Sequence, residues 1–107
     1  MKNIEKTILA NLISNEQYAR KVLPFIRPEY FQDNNEKIVF DEISKFAIKY
    51  SKLPTSISLQ VELDNRKDLN EQTYKDITSL VETLQADPVD EQWLLDTTET
   101  FCKDKAV

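Results

Sequence analysis

The sequence predicts an all-α domain, and three observations carry that expectation. Apolar residues recur at intervals of three and four along most of the chain, as one face of a helix requires. Prolines and residues suited to helix caps fall at the ends of those stretches. Only one short segment alternates with the two-residue period of a strand. The 107 residues suit a single domain, which at this size withdraws roughly 65% of its unfolded surface from water. The expected architecture is a small orthogonal bundle of about five helices, with one further helical stretch after it.

Ile4, Ile8, Leu9, Leu12 and Ile13 draw the first helix, which ends near Ser14. Ser14 with Gln17 has the form of a capping box and starts a second helix that buries Tyr18, Val22 and Leu23 until Pro24 stops it. Phe25 and Ile26 lead into Pro28-Glu29-Tyr30-Phe31, a proline-started turn whose two rings pin the connection once they are buried. Asp33 with Glu36 makes another box-like start. In the central helix that follows, Val39, Phe40, Ile43, Phe46, Ala47 and Tyr50 share one face, and Lys37, Asp41, Lys45, Lys49 and Lys52 lie opposite. Pro54 closes the next connection. Asn70 before Glu71 opens a helix striped by Tyr74, Ile77, Leu80, Val81 and Leu84. Asp87-Pro88 opens the last helix, with Asp90 and Glu91 at the positive end of its dipole.

The alternating segment runs from Ser56 to Leu63, where Ile57, Leu59, Val61 and Leu63 are separated by polar residues. A lone strand would leave its backbone donors and acceptors without a ladder partner, so a helix is predicted here as well. As a helix it carries two apolar stripes, Ile57 with Val61 and Leu59 with Leu63, about 200° apart by helical geometry. Both stripes are expected to meet protein.

Composition excludes several kinds of chemistry. With no glycine, the chain cannot form the glycine-rich loops that bring backbone close to phosphate. With no histidine and a single cysteine, zinc sites of the Cys/His kind, Ser-His-Asp triads and Cys-His pairs are also excluded. The one cysteine, Cys102, forbids an internal disulfide and suits a reducing compartment. There is no apolar run long enough for a bilayer and no secretion signal, so a soluble, cytoplasmic domain without catalytic machinery is expected. The net charge of −5 disfavours wholesale nucleic-acid binding.

Few residues invite a sharper reading. The lysines of the central helix could track a phosphate backbone, but Asp41 and Lys45 have the i,i+4 spacing of a solvated ion pair. Trp93 is assigned to a core-facing stripe with Leu94, Thr97 and Phe101, and Cys102 to the other side of that helix with Leu95 and Ala106. The expected core anchors are Tyr30, Phe31, Phe40, Ile43, Phe46, Tyr74, Val81, Trp93 and Phe101. The expected protein contacts are Leu59, Leu63, Leu95, Cys102 and Ala106. The last helix runs to the end of the chain without a stop signal, which implies a longer parent.

Taken in order, these features resemble the amino-terminal domain of ring-shaped replicative DNA helicases of the DnaB type, most of all the version found in T-even-like phages. The resemblance rests on Pro28-Glu29-Tyr30-Phe31, Ile38-Val39-Phe40-Asp41-Glu42-Ile43, and Pro54 ahead of Leu59 and Leu63. It continues through the Tyr74 to Leu84 stripe and Glu99-Thr100-Phe101 running into Asp104-Lys105-Ala106-Val107. It implies a helical head over residues 1–86 and the first arm of a helical hairpin over residues 87–107, with the second arm and the motor beyond.

It also implies a non-catalytic collar that pairs with itself in a hexameric ring and receives the primase. DNA would be touched weakly or through the full ring, and ATP and magnesium would belong to the motor. Bacterial members usually carry glycine in the loop before the Tyr74 helix, where this chain has Asn65-Arg66-Lys67-Asp68. A stand-alone helical phage adaptor that binds another protein is the alternative.

Overall fold

Helix-start chemistry sets the boundaries seen in the computed structural model, which describes residues 4–86 and 88–106. Six α-helices occur among the described residues: α1 (Ile4–Ser14), α2 (Glu16–Val22), α3 (Asn34–Tyr50), α4 (Ser56–Asp64), α5 (Glu71–Thr83) and α6 (Glu91–Lys105). Two 3-10 turns, Leu23–Phe25 and Pro28–Tyr30, join α2 to α3. Each begins at or beside a proline, whose fixed φ and missing N–H suit a first turn. No helix among the described residues is long and apolar enough to cross a membrane.

The caps differ in detail from the sequence expectation. Asn15, not Ser14, caps α2, its Oδ1 accepting from Tyr18 N at 3.1 Å. Ser14 is the last residue of α1 and donates from Oγ to Ala10 O. Ser14 and Asn15 are both good caps, and the amide side chain holds the position one residue later. The last helix starts at Glu91 with Asp90 as its cap, accepting from Trp93 N at 2.9 Å. Pro88 therefore precedes the helix, and Asp87 lies outside the described residues. At the end of α3 the absence of glycine has a visible cost, because Ser51 takes the left-handed conformation that terminates the helix, with φ 56°.

The alternating segment is helical. Thr55 and Ser58 form a reciprocal capping box at its start, which supplies the local signal that favours a helix over a strand. Only one of its two stripes is inside. Leu59 and Leu63 are fully buried, whereas Ile57 and Val61 are 76% and 51% exposed. Leu59 and Leu63 are thus core residues rather than contact residues. Each contributes about 1.5–3 kcal/mol through burial.

One core unites all six helices. Ile8, Leu9 and Leu12 of α1 meet Tyr18 of α2, Phe40 and Ile43 of α3, Leu59 of α4, Ile77 and Val81 of α5, and Leu94 and Phe101 of α6. Phe31 stands at its centre, with ring centroids 5.3 Å from Phe40 and 5.8 Å from Phe101. Tyr30 meets the edge of Phe101 at 6.4 Å. Helix α6, expected to follow the head, packs on it through Leu94 and Phe101, which fill the same interior as α1 to α5.

Three expected anchors fall outside that core. Trp93 is half exposed, and Tyr74 is at the edge, where its hydroxyl donates to Asp64 and ties α5 to α4. Phe46 is half-buried and stacks on Tyr50 at 4.6 Å.

Candidate protein-docking groove

Tyr18 and Thr98 decide how α6 sits. The Thr98 hydroxyl is buried and donates to Leu94 O at 2.8 Å, so its oxygen is free to accept from the Tyr18 hydroxyl at 2.7 Å. That bond joins α2 to α6 inside the core, and burial pushes the Tyr18 phenol up to about 12. With Thr98 facing inward, the buried line of α6 is Leu94, Thr98 and Phe101. This is a rotation of roughly 50° from the stripe expected on apolar residues alone, and it carries Trp93 onto the outer flank. The sequence reading placed Leu95, Cys102 and Ala106 on a face pointing away from the head. They lie instead on the flank toward α2, with Leu95 and Cys102 half-buried against the core.

On this flank α2, the 3-10 turns and α6 enclose a groove of about 480 Å³. Its walls are apolar, formed by Val22, Phe25, Tyr30, Leu95, Cys102 and Ala106. Phe25 is 70% exposed at the lip, held outward by the Pro24 turn. Three of the five expected contact residues come together here, and Leu59 and Leu63 do not. Val22, Phe25 and Tyr30 were read as core or connection, although an aromatic directly after a proline stop was a signal that Phe25 could not follow the helix inward.

Charge at the rim is already matched. Lys21 pairs with Glu91 at 3.7 Å across α2 and α6, and Lys103 pairs with Glu99 at 2.9 Å. Burial raises the Cys102 thiol, so it serves as a small apolar wall rather than an activated nucleophile.

A family model for the DnaB-like helicase N-terminal domain matches residues 1–93. The chain belongs to that family. Among curated relatives, the DnaB-like replicative helicase of enterobacteria phage T4 is 31% identical over 100 residues, covering 94% of this chain and 21% of that protein. The chain therefore spans about a fifth of the length of the relative it matches.

Within this DnaB-type domain the glycine-free loop between α4 and α5 is held by ion pairs. The Arg66 guanidinium reaches Asp68 at 2.6 Å, Glu42 at 3.3 Å and Asp41 at 3.5 Å. The Arg66 side chain is only 17% exposed, so it acts as a clamp from the loop onto α3, and it holds the Asp68 carboxyl down at about 2. Asp41 also pairs with Lys45 at 3.0 Å along the central helix.

Proposed function

We propose that this chain is the non-catalytic collar domain of a ring-shaped phage replicative helicase, supporting subunit assembly and docking of the primase during DNA replication. The observation that carries this reading is family membership over residues 1–93. The groove between α2 and α6 supports it, because an open apolar channel of about 480 Å³ suits an apolar side-chain cluster of a protein partner better than a polar metabolite. Leu95, Cys102 and Ala106 are its contact residues on α6, and Phe25 and Val22 face them from the other wall. In this reading nucleotide hydrolysis, ATP and magnesium belong to a motor elsewhere in the parent protein, α6 is the first arm of a hairpin that pairs between subunits, and the protein works inside the infected cell.

The test is a titration of the phage's own primase against the labelled domain, followed by fluorescence anisotropy. Saturable binding that weakens at least about tenfold in Phe25→Ala and in Leu95→Asp is expected, as for residues central to a contact. Binding unaffected by both changes would place the primase on another surface. No binding by the domain would favour the adaptor reading, with a different protein as its partner.

A further inference from the structure

The first turn of α3 hides a carboxyl group. Glu36 is 1% exposed, although a residue in the first turn of a helix ordinarily faces water or the cap. The cap itself is Asp33, which accepts from Asn35 N at 2.9 Å. Glu36 lies beneath α1 and is hydrogen-bonded to Glu5, in the first turn of that helix. Two carboxyl groups in hydrogen-bonding contact need a proton between them, since a carboxylate has no donor to offer another. We propose that Glu5 and Glu36 form a proton-held latch that fastens the first turn of α1 to α3 and opens when the shared proton leaves.

The surroundings favour the protonated form. Burial is the largest influence on Glu36, followed by Glu5 itself and by Asp33 at the cap, while Lys6 of α1 acts in the opposite sense. From α5, Asp76 borders the same corner with Lys6 and Asp33. From the 3-10 turn packed on α3, Glu29 faces solvent. Burial, Glu5 and Asp33 outweigh Lys6 and hold the Glu36 acid at about 7 instead of 4.5.

The sign of the pH dependence follows. Between pH 4.5 and about 7 the folded domain keeps a proton that the unfolded chain has released. The latch therefore stabilises fully below the lower value and is lost as pH rises through the upper one. Asp68, held at about 2, and Tyr18, pushed to about 12, titrate outside this interval.

Hydrogen exchange of the α1 amides tests the latch, compared as protection factors so that the intrinsic pH dependence of exchange cancels. Between about pH 5 and about pH 8.5, protection in α1 should fall about tenfold or more, each unit of displaced acidity being a tenfold change in the opening equilibrium. In Glu36→Gln the fall should shrink to about twofold or less, because the amide donates to Glu5 at either pH. Constant protection in the unaltered domain overturns the proposal, as does an undiminished fall in the glutamine variant. Should that variant not fold, the side-chain carbon-13 shift of Glu36 in the unaltered domain decides the matter. A midpoint near 7 is expected, and one below about 5 overturns the latch.

Discussion

Helices α4 and α6 both carry more apolar residues than one buried face can use, and they dispose of the surplus differently. In α4 the two stripes are opposed, so burying Leu59 and Leu63 leaves Ile57 and Val61 standing in water. In α6 the surplus sits beside the buried line, and α2 and the 3-10 turns rise next to it to make a groove. Excess hydrophobicity therefore marks a candidate contact, but its angular position relative to the core decides whether the contact is a bare stripe or a shaped channel. Mutations on paired positions of these two helices test that distinction.

The largest effect is expected from exchanging the stripes of α4. Leu59→Asp places a charge in a dry core with no partner and should leave the domain unfolded, as read by circular dichroism. Ile57→Asp, two residues away, should shift the melting temperature by no more than about 2–3 °C, because its side chain is already in water. Equal effects would mean that α4 is rotated from the position described.

A similar pair on α6 comes next. Phe101 packs against Tyr30 and Phe31, so Phe101→Ala should cost about 3–5 kcal/mol in denaturant unfolding. Trp93→Ala should cost about 1 kcal/mol or less, because half of the indole is outside. Large losses at both positions would restore the stripe expected from the sequence alone, in which Trp93 and Phe101 share the core-facing side.

Much of this organisation was legible before any coordinates. The all-α class followed from periodicity, prolines and caps, the helical reading of the alternating segment from the want of a second strand to pair with it, and the resemblance to DnaB-type domains from the order of short motifs such as Pro28-Glu29-Tyr30-Phe31. The orientation of α6 did not, because it depends on a polar residue. Thr98 counts as solvent-facing in any apolar pattern, and only Tyr18, eighty residues earlier in the chain, makes it a core residue. Glu36 was hidden for a similar reason, since Asp33 followed by Glu36 has the form of a surface cap while its side chain lies under α1. The Arg66 clamp likewise joins residues 24 and 25 positions apart, a separation at which a single sequence carries no spacing signal.

The Tyr18–Thr98 bond offers a smaller effect that sharpens the account of α6. Tyr18→Phe keeps the ring and removes the donor, while Thr98 still donates to Leu94 O. Only one hydrogen bond is lost, so unfolding should become easier by about 1 kcal/mol. Thr98→Val removes both bonds and leaves the Tyr18 hydroxyl buried without its partner, so it should cost more than Tyr18→Phe. If the valine variant proves the more stable of the two, the hydroxyl pair is not what orients α6.

A small effect on stability is expected where the effect on association should be greatest. Leu95 is half-buried on the groove side of α6, so Leu95→Asp forfeits part of one side chain's contact, about 1 kcal/mol, and the helix can still sit on Leu94, Thr98 and Phe101. The same change sets a charge into the wall of an apolar channel whose rim charges are already paired. If the channel is a contact surface, any weak self-association of the domain should disappear in sedimentation equilibrium of Leu95→Asp and persist in Ile57→Asp. The reverse result would move the contact to the exposed stripe of α4, and the shaped channel would then be no better a guide to partners than a bare row of aliphatic residues. Melting both variants beside the parent keeps the comparison clean, because a loss of association that tracks a loss of folding would say nothing about either surface.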